Sequence, residues 1–371
     1  MKGRRPRPLD DGDSGEVRVS GHLSWAKLRK RSSVKINGQL SGTIIPMAII
    51  SNCAASIIRD AALALREGHL VAFPTETVYG LGADATNEKA VARIYDVKGR
   101  PTDHPLIVHI SSINNLDKWA KAIPEYAIKL ARNFWPGPMT LILPRTELAR
   151  DFVTGGQNNV GIRVPEHSVA LELLKEFEAQ GGLGVAAPSA NRFGKVSPTS
   201  AEDVEEELAK YLKSKDLILD GGPSLVGVES TIIDCTNTSP TILRPGAITF
   251  TMISNLLDIK IEEITKNNNE QIRAPGLLES HYSPKAKVYL SGTPAHGDGF
   301  IALSKFPTPS GVIRLTAPAT NEEYARTLYQ GLRLADSKKL YKVYVILPDG
   351  DDIAIAICDR LQKASEISAD I

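Results

Sequence analysis

Long hydrophobic runs are missing from this chain: no stretch approaches the roughly 20 apolar residues a bilayer-spanning helix needs, so no membrane association of that kind is expected. Cysteine is scarce. Cys53, Cys235 and Cys358 are odd in number, far apart and without Cys-x-x-Cys spacing, which argues against a disulfide framework or a zinc site and fits a cytoplasmic location. No Gly-x-x-x-x-Gly-Lys-Ser/Thr phosphate loop occurs, and no Gly-x-Gly-x-x-Gly follows a strand in the C-terminal third, so a nucleotide must be held another way. The seven histidines are scattered, and no Ser-His-Asp, Cys-His or metal-binding grouping can be assigned from their spacing. No internal repeat is visible.

What is present is a globular composition, 42% apolar and 23% charged over 371 residues, long enough for two domains. The net charge of +1 conceals an asymmetry. Residues 1–46 hold ten Lys or Arg against four acids, a balance of +6, so the remainder stands at −5. A basic arm of this kind suits nucleic acid or an import signal, but Asp10, Asp11 and Asp13 do not suit a transit peptide. Residues 1–49 are therefore read as a disordered basic extension, or as a stretch ahead of a start at Met47. Helical logic begins after it, with Ser56 as cap, a stripe of Ile57, Ile58, Ala61, Ala62 and Leu65, and Gly68 as stop.

The densest chemistry follows. Leu70-Val71-Ala72-Phe73 reads as a buried strand ending at Pro74, where hydroxyls, a carboxylate and glycines begin: Thr75-Glu76-Thr77-Val78-Tyr79-Gly80-Leu81-Gly82. Asn87 then opens a helix with Val91, Ile94 and Tyr95 on one face and Gly99 at its end, from which Lys98 and Arg100 emerge beside one another. A strand over 106–110 carries His109. Further strands are expected at 139–143, 160–164, 217–219, 230–233 and 242–243, with helices from Pro124 to Phe134 and near 168–178 and 201–213. Because strands and helices do not alternate strictly, residues 50–250 predict an α/β domain built on a twisted mixed sheet with packed helices. Residues 251–285 read as a linker. Short strands at 287–290, 300–303, 312–315 and 343–347, with helices near 320–336 and 352–365, predict a small α/β domain over 286–371.

Thr75, Thr77, Lys98, Arg100, Arg163, Ser189, Asn191, Ser197, Ser230, Thr231 and Arg244 cluster at predicted loop positions or strand ends, an inventory suited to a small anionic ligand. The block 70–110 closely resembles the YrdC-type L-threonylcarbamoyladenylate synthases. The resemblance continues through Trp135-Pro136-Gly137-Pro138, Ile162-Arg163-Val164-Pro165, Ala187-Pro188-Ser189-Ala190-Asn191, Ser197-Pro198-Thr199, Gly227-Val228-Glu229-Ser230-Thr231-Ile232 and Leu243-Arg244-Pro245-Gly246. Ala274-Pro275-Gly276 and His281-Tyr282-Ser283-Pro284 resemble the linker of the long form, which ends in a Rossmann-like domain.

That resemblance implies nucleotidyl transfer: L-threonine, bicarbonate or CO2, and ATP give threonylcarbamoyl-AMP and pyrophosphate, the first step toward N6-threonylcarbamoyladenosine (t6A) in tRNA. It implies that Thr77, His109, Arg163, Ala187 and Ser230 hold threonine. Arg100, His104, Asn159, Ser189, Ser197, Arg244 and Tyr282 would hold ATP, while Lys98 and Arg100 stabilise the reacting phosphates. His104 and Asn159 stand where the family pattern has asparagine and threonine. Mg²⁺ is expected with ATP, no protein metal site is expected, and the linker at Tyr282 is expected to close as a lid. Partners implied are the tRNA threonylcarbamoyl transferase machinery, with weak tRNA contact left open. One alternative is an RNA-binding module of the same fold without synthesis; against it stand the −5 balance and the absence of aromatic and basic residues interleaved as in RNA-recognition sheets. A carbamoyltransferase module is the other, but its zinc-finger cysteines and acylphosphatase segment are lacking.

Overall fold

Ten strands pair into one mixed sheet in the computed structural model, which describes residues 49–259 and 282–365. The basic arm, its Met47 and most of the expected linker, including Ala274-Pro275-Gly276 and His281, lie outside the described residues. In chain order the elements are β1 (Ile49–Asn52), α1 (Ala55–Arg66), β2 (Val71–Phe73), β3 (Gly80–Asp84), α2 (Glu88–Lys98), β4 (Ile107–His109), α3 (Leu116–Trp119), α4 (Glu125–Phe134) and β5 (Met139–Pro144). They continue with α5 (Asp151–Thr154), β6 (Asn159–Arg163), α6 (Ser168–Ala179), β7 (Val185–Ala186), α7 (Ala201–Leu208), β8 (Leu217–Asp220), β9 (Thr231–Asp234), β10 (Thr241–Arg244) and α8 (Phe250–Leu257). The spatial order is β1-β8-β2-β3-β7-β4-β6-β5-β9-β10.

Local chemistry explains the element ends. Asn87 caps α2 by accepting from the Ala90 N–H at 3.2 Å, and Gly99, at φ 60°, turns the chain out of the helix in a conformation that costs glycine little. Ser200 and Asp203 form a reciprocal capping box on α7. Apolar side chains from α2, α3, α4 and α7 fill one face of the sheet, around Leu81, Val108, Leu141 and Ile162. On the opposite face α1 and α6 pack over Val71, Phe73, Val185 and Leu219.

Three local expectations are corrected. Ala54, not Ser56, precedes α1, and it makes no side-chain cap. The glycine-rich run at 80–84 is the buried strand β3, which small residues hide from pattern reading: a Cβ on Gly82 would lie 2.8 Å from both Phe73 Cε1 and Val185 Cγ1. Finally, the stretch read as linker begins with the helix α8, capped by Thr249 accepting from the Met252 N–H at 3.3 Å.

The C-terminal part is a second sheet of β11 (Lys287–Tyr289), β12 (Gly299–Ile301), β13 (Ile313–Thr316) and β14 (Lys342–Val345), all pairs parallel, in the order β11-β14-β12-β13. Helices α9 (Asn321–Ser337) and α10 (Ala354–Ser365) lie between it and the first sheet. Their apolar residues share one cluster with Val78, Val196, Val226 and Val228, so the core is continuous across the junction.

Candidate active site

Strand register gathers the site. β4 and β6 run parallel with His109 opposite Arg163, which brings both side chains to the same end of the sheet. The Thr75–Val78 turn follows β2, and an isolated bridge between Gly80 and Ser189 sets the Ala187-Pro188-Ser189 segment across from it. Because β9 and β10 are antiparallel, Ser230, just before β9, meets Arg244 at the end of β10. Together with Arg100 and Tyr282 these segments enclose a cavity of about 50 Å³.

The hydroxyls are ordered by one another. Thr75 Oγ1 donates to the Val78 carbonyl at 2.5 Å, accepts from the Val78 N–H at 3.2 Å and stands 2.8 Å from Thr77 Oγ1. Ser230 Oγ lies 2.8 Å from Thr140 Oγ1 and accepts from Arg244 Nη2 at 3.2 Å. Arg244 also donates to the Ser230 carbonyl from Nε and Nη2, which fixes the guanidinium plane.

The charges are buried and oriented. Arg163, which lines the cavity, donates from Nη2 to Glu76 Oε1 at 2.6 Å and from Nε to the Gly137 carbonyl at 3.3 Å. Glu76 Oε2 accepts from the Glu166 N–H at 3.0 Å. Burial, seconded by the Arg163 charge, holds the His109 imidazole down at about 3, so it is neutral, and its Nδ1 is buried without a partner. Arg100 donates from Nη2 to the Pro105 carbonyl at 3.0 Å, and burial lowers it to about 10, still charged at neutral pH.

Glu229 ties this wall to the second sheet. Its carboxylate accepts from Ser197 Oγ at 2.7 Å, Tyr329 Oη at 2.9 Å and Arg360 Nε at 2.8 Å. Burial alone would raise its pKa, but Arg360 and Arg244 beside it carry it down to about 2. Tyr282, with φ 68°, stacks on Tyr329 at 5.8 Å between ring centroids, and the Arg360 guanidinium lies 5.4 Å from the Tyr282 ring centre. Arg326 and Arg333 of α9 donate to the carbonyls of Leu225 and Val196.

Of the thirteen residues to which the resemblance gives roles, nine line the cavity: Thr77, Arg100, His109, Arg163, Ala187, Ser189, Ser230, Arg244 and Tyr282. Four do not. Lys98 lies behind the wall, its ammonium donating to the carbonyls of Ser189 at 2.6 Å and Asn191 at 2.5 Å, with its pKa well below the usual amine range through burial and the Arg100 charge. Ser197 reaches the cavity through Glu229 only. His104 stands edge-on to Phe193 outside the lining. Asn159 begins β6, whose other end carries Arg163, about 13 Å away at 3.3 Å per residue. Glu76 and Glu229 were not given roles in the sequence reading. The signal available for both was a lone carboxylate inside a hydroxyl-rich or apolar motif.

Comparison with known proteins identifies the family. A family model described as "Telomere recombination" matches residues 63–246, and one described as "Threonylcarbamoyl-AMP synthase, C-terminal domain" matches residues 248–366. The threonylcarbamoyl-AMP synthase of Pyrococcus abyssi is 41% identical, covering 86% of this chain and 98% of its own length. That of Bacillus subtilis is 40% identical over 83% of this chain and 92% of its own. A crystal structure of Pyrococcus abyssi Sua5 complexed with L-threonine matches with a TM-score of 0.78 at 38% identity, covering 86% of this chain and 98% of that one. These relatives bear out the expected synthesis of threonylcarbamoyl-AMP, the first step toward t6A, and do not favour an RNA-binding module without it. With these two models matching residues 63–246 and 248–366, the chain belongs to the threonylcarbamoyl-AMP synthase family.

Proposed function

We propose that the cavity takes L-threonine on its β4–β6 side and ATP on its Arg100–Arg244 side, and joins them through a carbamate formed from bicarbonate or CO2. The single observation that carries this reading is the convergence of nine matching residues from separate segments on one buried, cationic cavity. Arg163, held in plane by Glu76, presents its guanidinium to the threonine carboxylate. Neutral His109 offers an acceptor lone pair at Nδ1, and the hydroxyls of Thr77 and Ser230 flank it. Ala187 gives a small apolar wall for the threonine methyl.

With the amino acid so fixed, its amine attacks the carbon of CO2 and releases a proton; with bicarbonate the amine proton leaves instead with the displaced hydroxide, as water. A carbamate oxygen then attacks the α-phosphorus, and the bond to the β-phosphate oxygen breaks to release pyrophosphate. Arg100 and Arg244 face the charge that develops on the phosphates, with Lys98 one layer behind them. Among the described residues no group of three or more His, Cys, Asp or Glu is placed to hold a metal, and the nearby carboxylates Glu76 and Glu229 are taken by arginines. Mg²⁺ is taken to arrive with the substrate, on the phosphates of ATP, where it spreads their charge.

Tyr282 lines the cavity on the Arg100–Arg244 side, and the segment that carries it closes over the bound nucleotide as a lid. Closure excludes water from a labile mixed anhydride, which is handed on to the threonylcarbamoyl transferase machinery that modifies tRNA. We place the reaction in the cytoplasm, a compartment that suits the three free thiols Cys53, Cys235 and Cys358. Incubation with Mg–ATP, labelled bicarbonate and threonine should release pyrophosphate and label an adenylate; release that continues unchanged without threonine overturns the reading.

A further inference from the structure

Helices α9 and α10 cover one face of the C-terminal sheet, where Val288, Ile301, Val343 and Val345 join their apolar residues. Side chains alternate along each strand, so the neighbouring positions form the other face. The parallel register sets Lys287 beside Lys342, and it aligns Tyr289, Tyr344, Phe300 and Arg314 in a row across β11, β14, β12 and β13. At the β13 end Phe300 is buried, and Arg314 is tied down by the carbonyls of Ala302 and Leu303. The β11–β14 half is different. Tyr289 and Tyr344 are half-buried and stack with ring centroids 5.1 Å apart at 18°, and Lys342 Nζ lies 5.6 Å from the Tyr289 ring. Beside them Tyr341 is 67% exposed, with Lys287 Nζ 5.7 Å from its ring. Residues 285–289 and 338–344 together carry five lysines, three tyrosines and no carboxylate.

We propose that this β11–β14 face binds an unpaired segment of RNA. Aromatic rings on a sheet surface stack with bases only where those bases are free of a duplex, and the lysines around them match phosphate charge. Tyrosine also serves protein interfaces, but a protein segment would have to bring a carboxylate pattern to match the lysines, whereas any RNA strand brings a phosphate at every nucleotide. The choice of RNA rests on the reading that the cavity's product is consumed in tRNA modification; the surface itself is independent of the cavity chemistry. The tyrosines and lysines of this face do not form the single interleaved motif of an RNA-recognition sheet. Lys-x-Lys-x-Tyr and Tyr-Lys-x-Tyr lie more than fifty residues apart, and only the β11–β14 register makes one surface of them.

Fluorescence anisotropy of the full chain tests this with a labelled RNA strand of about 12 nucleotides, its duplex, and DNA of the same sequence. The single strand of RNA should bind at least about tenfold more tightly than the duplex, and weaken steeply between about 50 and about 200 mM salt. Tyr341→Ala should weaken it by about 5- to 100-fold and Tyr341→Phe should restore it, since stacking needs the ring and not the hydroxyl. A Lys287→Glu and Lys342→Glu pair should weaken it and flatten the salt dependence, while threonine-dependent pyrophosphate release stays unchanged in every variant. The proposal is overturned by equal binding of duplex, by tighter binding of DNA, or by affinity that ignores these variants and so belongs elsewhere, such as the basic arm. Competition by polyglutamate as effective as competition by RNA would also overturn it, assigning the face to an acidic protein.

Discussion

Replacing Glu229 with Gln removes one charge from the most heavily bonded carboxylate of the site while preserving its shape. Arg360 is fully buried, and Glu229 nearly so, so the loss leaves a guanidinium in low dielectric with Asp359, the Pro245 carbonyl and the Tyr282 ring as its other partners among the described residues. Removing one partner of a buried ion pair typically costs about 3–5 kcal/mol. Proton linkage gives a second route to the magnitude. A carboxyl lowered from 4.5 to about 2 on folding contributes about 3 kcal/mol. The sign follows from the direction: because the folded value is depressed, the contribution is complete above pH 4.5 and is lost as pH falls toward 2. Urea titrations at several pH values should therefore find Glu229→Gln about 3 kcal/mol less stable at pH 7, with the gap to wild type narrowing below pH 4.5. Since Glu229 joins the nucleotide wall to Arg360 and Tyr329, the KM for ATP should rise as well. A difference of less than about 1 kcal/mol at neutral pH, or a gap that does not narrow with acid, would refute the claim that this pair holds the second sheet against the cavity.

Arg163→Lys keeps a charge but loses the planar link to Glu76 and Gly137, so the KM for threonine should rise by about tenfold or more while that for ATP stays put; a parallel rise in both would contradict separate subsites. Arg100→Ala should cut adenylate formation by about 100-fold or more, measured in single turnover, whereas Asn159→Ala, at the far end of β6, should leave the KM for ATP unchanged. His109 stays neutral from pH 5 to 8 because burial depresses it to about 3, so the pH–rate profile should lack an imidazole inflection near 6.5; such an inflection that vanishes in His109→Ala would contradict this. Gly82→Ala should destabilise the fold by about 1–3 kcal/mol, read as a lower urea midpoint, because its Cβ would be driven against Phe73 and Val185.

Patterns that repeat within one element were legible from the chain alone. The α2 stripe, its Asn87 cap and Gly99 stop, the valine-rich strands of the C-terminal sheet, and the hydroxyl strip after β2 are all local, since a helix face or a strand end is set by residues within a few positions of one another. Where local pattern was weak, the reading erred. β3 carries no large residue except Leu81 and so does not look like a strand, although the Phe73 ring beside it leaves space only for glycine.

Residue types alone led to the expectation of an anionic ligand near Arg100, Arg163 and Arg244, and the motif order around them placed the chain in its family. Which of those groups share a cavity was decided by strand pairing across the sheet. Lys98 and Arg100 are two residues apart, yet one binds main-chain carbonyls behind the wall and the other lines the cavity, because Gly99 turns the chain between them. The tie from Glu229 to Arg360 spans 131 positions, and the Tyr289–Tyr344 stack 55. No sequence periodicity encodes contacts at such separations; they exist because burying the shared apolar cluster fixes two sheets and two helices in one arrangement.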